Sequence, residues 1–136
     1  MAKISALTTT VTIDDSGGSG RDISADVTNL SINTSRGEQD TTGLDKSAME
    51  RLLLREDTTI SLAGVYDPGT NLAHTVFKTV GTQAGTVTRT AVIGFPTGTA
   101  TLETVPSNYN LSVAADGAMT WSADLHTASG TAIAWS

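Results

Sequence analysis

Two histidines, His74 and His126, are the residues of this 136-residue chain best suited to acid–base chemistry near neutral pH. His74 falls among the apolar residues of a predicted helix, and His126 falls at the end of a predicted strand. Neither has a carboxylate at metal-ligand spacing, and the chain contains no cysteine nucleophile. The sequence also lacks a nucleophile elbow, a zinc-protease helix motif, a phosphate loop and an EF-hand loop. We therefore expect no catalytic residues and no enzymatic activity.

Four aspartates near the start of the sequence offer oxygen ligands to a hard cation: Asp14, Asp15, Asp22 and Asp26. Aspartates in turns more commonly accept hydrogen bonds from the backbone around them. The glycine-rich stretch that follows Asp14 and Asp15 lacks the lysine and the helix of a phosphate loop, and it predicts a flexible hairpin tip. We expect no metal site and no cofactor.

The composition gives little support for binding to sugars, nucleic acids or membranes. Trp121, Trp135, Tyr66 and Tyr109 are too few and too scattered to form a stacking platform for sugars or single-stranded nucleic acid. A net charge of −6 argues against a protein that grips nucleic acid or an anionic membrane. No apolar run approaches the roughly 18 residues needed to span a bilayer, and the start of the sequence is not a secretory signal, so we expect no membrane anchor.

β-Branched residues dominate the chain, with 24 Thr, 9 Val and 7 Ile. Such side chains fit a pleated sheet better than a helix. The length predicts a single domain over residues 1–136. Alternating apolar and polar residues predict strands at 4–13, 23–33, 59–66, 86–95, 99–105, 108–114 and 119–125, with the first two forming a hairpin. The fold class predicted is mainly β: a β-sandwich or incomplete barrel of about seven or eight strands, with one flanking α-helix and a long inter-strand loop.

One helix is predicted over residues 71–80, ending at Gly81. Its apolar residues recur at helical spacing, and we expect them to be buried against the sheet. They are Leu72, Val76, Phe77 and Val80.

Residues 36–57 interrupt the β pattern with a crowd of charges. Leu44, Ala48 and Leu52 recur every four residues, which is typical of a helix, but a long ordered loop that folds against a partner is an equal alternative. The leucine run 52–54 is too apolar to stay exposed, so we interpret the segment as an inter-subunit clamp. The interface candidates are Arg36, Glu38, Asp40, Leu44, Met49, Leu52, Leu53, Leu54 and Arg55.

Charge is scarce in the rest of the sequence. Residues 58–136 carry only 6 of the 22 charged side chains. This favours a sheet that faces a core or another subunit, and a neutral Thr/Ser surface is an equally good interpretation.

Three segments resemble the major tail (tail tube) proteins of long-tailed bacteriophages. They are the strand from Asp22 to Ile32, the pair formed by Asp40-Thr41-Thr42-Gly43 and Thr59–Asp67 (TISLAGVYD), and the closing hairpin from Ser107 to Leu125. The segments cover about a third of the chain, in the family's order. The stretch from Leu44 to Arg55 departs from the family by being more charged and more helical in pattern.

The resemblance implies a β-sandwich or barrel subunit with one flanking helix. It further implies that six copies form a ring, and that rings stack into a hollow tube carrying double-stranded DNA and the tape-measure protein. Tail terminator and tip proteins are then further partners, and the location is the virion tail, assembled in the cytoplasm of a bacterial host. A carbohydrate- or surface-binding β-sandwich, or a capsid decoration module, is the alternative class.

Overall fold

The computed structural model describes residues 5, 7–128 and 130–136. One helix, α1, spans Ala73–Phe77, and a single 3-10 turn spans Ser24–Asp26. The strands are β1 (Thr10–Asp14), β2 (Gly20–Asp22), β3 (Val27–Asp40), β4 (Arg51–Val65), β5 (Arg89–Phe95), β6 (Gly98–Val113), β7 (Met119–Thr127) and β8 (Ala134–Trp135).

The eight strands form one antiparallel sheet in the order β2-β1-β5-β6-β7-β4-β3, with β8 paired to the beginning of β6. The sheet does not close, because β3 lies at one end of this order and β2 at the other. The mainly β class, the strand number and the flanking helix are confirmed. The single open sheet corresponds to the incomplete-barrel form of the prediction.

One face of the sheet carries the core. Alternate residues of the long strands are buried, as at Ile60 and Leu62 of β4 and Trp121 and Leu125 of β7. Phe77 of α1 is fully buried against this face. Its ring stacks on Tyr109 at 5.9 Å between centroids and lies 5.5 Å from the Trp121 ring. The helix thus covers the inner face of the sheet.

Helix α1 is shorter than predicted, since its regular part ends at Phe77. The Val76 carbonyl would accept the Val80 N–H in a further turn, but it accepts Arg89 Nη1 at 2.6 Å instead. The Val80 N–H bonds to the Phe77 carbonyl. Val76 is fully buried, whereas Leu72 and Val80 are half-buried. A buried arginine therefore sets the end of the helix.

Arg89 is fully buried, and its guanidinium donates hydrogen bonds to three neutral groups. Besides the Val76 carbonyl it donates to Gln83 Oε1 and Thr79 Oγ1, each at 3.0 Å. Burial lowers the pKa of Arg89, although the group stays protonated at neutral pH. These bonds fix the turns between α1 and β5.

The predicted hairpin of the first two strands is wrong. Strand β1 pairs with the short β2 through the glycine-rich turn, and β3 pairs only with β4 at the other side of the sheet. The 3-10 turn redirects the chain: Ser24 Oγ accepts the Val11 N–H at 2.8 Å, and the buried Asp26 accepts the Ala73 N–H at 3.1 Å. Residues 4 and 6 of the first predicted strand lie outside the described residues.

The two strands predicted over 99–105 and 108–114 are one strand, β6, with a bulge between Pro106 and Asn108. Proline lacks the N–H that the ladder needs, and the bulge accommodates it. The Asp116-Gly117 turn joins β6 to β7 within the closing hairpin, with Gly117 at a φ of 93°.

Candidate assembly surfaces

A two-stranded arm extends from the sheet. Strand β4 pairs with β7 only from Thr59 to Val65, but its pairing with β3 continues to Arg51. Residues 35–57 therefore form a hairpin, here called the arm, whose tip is residues 41–50. The helix interpretation of this segment is wrong, because Leu52 lies on β4 and residues 41–50 contain no helix. The long-loop alternative holds for the ten-residue tip alone.

Cross-strand contacts explain why the arm is a hairpin. Arg36 Nε donates to the Leu54 carbonyl at 2.7 Å, and Arg51 forms an ion pair with Glu38 at 3.3 Å. Both contacts join β3 to β4 and would be lost in a helix. Such exposed ion pairs add little energy, so they fix register more than stability.

The tip of the arm is ordered by Thr42. Its hydroxyl accepts the Glu50 N–H at 2.7 Å, and its own N–H donates to Asp40 Oδ1 at 2.9 Å. The Thr42 hydrogen bonds lower the pKa of Asp40. Lys46 and Glu50 pair at 3.6 Å across the tip.

Leucines of the arm are exposed on both of its faces. Leu52, Leu53 and Leu54 keep 57%, 51% and 44% of their surface accessible. A bulge places two residues of β4 opposite Gly37, with Leu54 lying over this glycine. The register then puts Leu53 beside Glu38 on the face continuous with the core, and Leu52 beside Gln39 on the opposite face. A two-stranded hairpin that packs against nothing is only marginally stable in water.

All nine interface candidates lie on the arm. Arg36, Glu38 and Asp40 are on β3, Leu44 and Met49 are in the tip, and Leu52, Leu53, Leu54 and Arg55 are on β4. Their contact with another subunit stays a prediction.

An apolar groove lies at the seam of the sheet, here meaning the gap between the unpaired strands β1 and β3. The sequence did not predict this groove. It has a volume of about 500 Å³ between β1 and the beginning of β3. Its apolar lining comes from Leu7, Val11, Val27, Leu30 and Phe95, and its other lining residues are uncharged. The groove exists because β1 and β3 are neighbours in space without being paired, which no local pattern indicates.

The face of the sheet opposite the core is polar and carries several carboxylates, among them Glu103, whose Oε2 accepts the Thr90 hydroxyl at 2.8 Å. Ser61 Oγ donates to Asp124 Oδ1 at 2.9 Å, and Thr59 Oγ1 lies 3.2 Å from His126 Nδ1. On the same face, asparagines and serines of the neighbouring strands β3 and β6 pair with these residues of β4 and β7. His126, the histidine predicted at the end of a strand, therefore lies on a surface made mainly of hydroxyl and amide side chains.

The other histidine belongs to an aromatic cluster. His74 Nδ1 lies 2.8 Å from the Tyr109 hydroxyl, and the His74 ring lies 5.1 Å from that of Tyr66. Burial raises the pKa of Tyr109. Trp121 contacts the same cluster from β7. These aromatic side chains therefore pack beneath α1, where they do not offer an open stacking surface.

The aspartates weighed as cation ligands bind backbone groups. Asp15 accepts the Gly17 and Ser19 N–H groups and pairs with Arg21, and the Ser19 bond lowers the pKa of Asp15 most. Asp26 differs, because burial and then the nearby Asp67 raise its pKa. In the part of the chain that the structure describes, no three His, Asp or Glu side chains converge on a common point.

Comparison with known proteins places the fold. No family model and no curated relative matches the sequence. Solved structures match over the whole chain. A chain from the tail of an empty gene transfer agent particle, refined with C6 symmetry, is 16% identical, with a TM-score of 0.75 over 98% of this chain and 99% of that one.

This chain has the fold of a tail-particle subunit. A chain from the PVC extracellular contractile injection system, in the structure of its sheath/tube terminator, is 13% identical, with a TM-score of 0.73 over 100% and 98% of the two chains. A chain from the six-fold symmetrised baseplate of the anti-feeding prophage is 14% identical, with a TM-score of 0.70 over 100% and 97%. The fold expected from the resemblance is thus confirmed. No helix in the described ranges has the length and hydropathy to cross a membrane.

Proposed function

We propose that this chain is a structural virion protein, the subunit of a phage-type tail tube. Six copies form a ring, and rings stack into a hollow conduit that delivers double-stranded DNA into a bacterial host. The observation that carries the proposal is the end-to-end fold likeness to subunits of C6-symmetric tail particles.

The arm is the feature of this chain that supports assembly into rings and tubes. It exposes leucines on two faces, and the described residues leave about half of each leucine accessible. The arm and the body it would meet are different surfaces, so the contact is head-to-tail. Head-to-tail contacts close into rings or continue as filaments, and both are needed for a tube.

The polar face of the sheet supports a passive conduit. Its central strands hold hydroxyls and amides with two carboxylates, Glu103 and Asp124, and one imidazole, His126. Four of the eight cationic residues lie on the arm, and Arg89 is buried in the core. A wall without lysine or arginine stripes lets DNA pass without binding its phosphates.

The same proposal names the partners and the location. The tape-measure protein occupies the tube during assembly, terminator and tip proteins bind its two ends, and the protein resides in the virion tail after assembly in the host cytoplasm. The support here is the resemblance of the three sequence segments to tail tube proteins. No catalytic step is part of the role.

Negative-stain electron microscopy and sedimentation of the purified protein test this function. We expect six-fold rings with a central hole and tubes that lengthen with protein concentration. A protein that stays monomeric at all concentrations, or that forms only closed dimers, would contradict the tube role.

A further inference from the structure

The leucine arm and the apolar groove lie at opposite ends of one hairpin. Leu53 pairs with Glu38 near the far end, whereas the groove is lined by Val27 and Leu30 at the near end. At roughly 3.3 Å per residue the two sites are about 25–35 Å apart along β3. The arm therefore does not reach the groove of its own chain.

We propose that the groove at the β1–β3 seam receives the leucine arm of a second copy of this chain, which makes it the socket that links successive subunits. This inference rests on the proposed tube function and deepens it. Each chain would then present a plug at one end and a socket at the other, a repeat that continues without closing on itself.

The surfaces match in chemistry. The socket is lined by apolar and neutral polar side chains, and the plug is a run of three leucines. Near the edges, Arg55 follows Leu54 on the arm, and Asp22 is hydrogen-bonded to Ser24, a lining residue of the groove. Glu38, which lies beside Leu53, is itself paired with Arg51. Rim charges of this kind favour one register over others.

The geometry also selects the face of the arm that enters. Leu53 lies on the same face of the hairpin as Leu30. An arm that lies alongside β3 of the next copy in the same orientation would place Leu53 and Leu30 on one common face. Leu52, on the opposite face, is left for a different neighbour.

Cysteine cross-linking tests the socket cleanly, because the chain has no cysteine of its own. The probe variant combines Leu53→Cys with Leu7→Cys, since Leu7 lines the groove and is 93% exposed, so that its replacement spares the core. A second variant combines Leu53→Cys with Asn29→Cys, another exposed lining residue. Disulfides need Cα atoms within about 7 Å, which excludes a bond inside one chain.

Mild oxidation of assembled tubes should give a ladder of covalent dimers, trimers and longer chains with at least one of these variants. A mixture of the two single variants should stop at dimers, because each chain then carries only one reactive end. The matched control, Leu53→Cys with Thr86→Cys, places the second thiol on an exposed loop away from the groove and should give no ladder.

Tubes that form normally but give no ladder with either groove position would overturn the socket while leaving the tube function intact. The same holds if the control gives an equal ladder. If the unaltered protein forms no tubes at all, the proposed function fails, and the socket fails with it.

Discussion

Removing the arm should abolish tube assembly while leaving the monomer folded. The register of β3 and β4 shows which residues can be removed. Arg36 pairs directly with Glu56, so residues 37–55 can be replaced by Asn-Gly, a two-residue turn suited to an antiparallel pair. The shortened hairpin keeps Thr34 and Thr58, whose hydroxyls lie 3.1 Å apart, and every buried residue of β4. The core should therefore be unaffected.

Removing the arm should have a small effect on the free energy of unfolding and a large effect on the free energy of assembly. Residues 37–55 contain no buried side chain, so their removal should change the free energy of unfolding by less than about 1 kcal/mol. In assembly, about half of each of three leucines is available for burial. At about 1.5–3 kcal/mol for a whole leucine, that is roughly 2–4 kcal/mol per arm, and six arms would supply roughly 12–24 kcal/mol per ring junction.

The assay compares thermal unfolding of the monomer with tube formation by sedimentation and electron microscopy. We expect a nearly unchanged midpoint and no tubes. A control carrying Leu52→Met, Leu53→Met and Leu54→Met keeps the apolar volume and should still assemble. Normal tubes from the shortened chain would refute the clamp, and a large fall in the midpoint would show that the arm belongs to the folding core.

Three further outcomes are expected. Phe77→Ala should cost about 3–5 kcal/mol of unfolding free energy, because it empties a site enclosed by Tyr109 and Trp121, while Phe77→Leu should cost less; an unmoved thermal midpoint would contradict this burial. Burial raises the pKa of Asp26, so the stability contributed by its protonated form is complete below the unfolded pKa and is lost as pH rises through the folded pKa. Asp26→Asn should therefore raise the thermal midpoint at pH 7 and flatten the fall of the midpoint as pH rises from acid to neutral, and a lower midpoint at pH 7 would refute this. Assembled tubes should bind free double-stranded DNA no better than non-specific background and with little salt dependence; micromolar affinity that falls steeply with salt would exclude a passive conduit.

The predictable part of the fold is the part governed by local alternation. Ile60 and Leu62 alternate with hydroxyl residues, and their strand follows directly from that pattern. The arm was not predictable, because Leu44, Ala48 and Leu52 have helical spacing, and only pairing with β3 decides between helix and strand. Arg89 and the groove at the seam depend on contacts between elements far apart in sequence, for which the chain offers no local signal.

The bulge at Gly37 has a consequence for the kinetics of growth. The register that it sets puts Leu53 on the core side of the hairpin and its neighbour Leu52 on the opposite side, so each subunit needs two different neighbours before its apolar surface is fully covered. A subunit that joins an isolated partner gains only part of the available energy, whereas one that joins a finished ring gains it all. Polymerisation should therefore show a lag, a sharp critical concentration, and abolition of the lag by short tube fragments added as seeds.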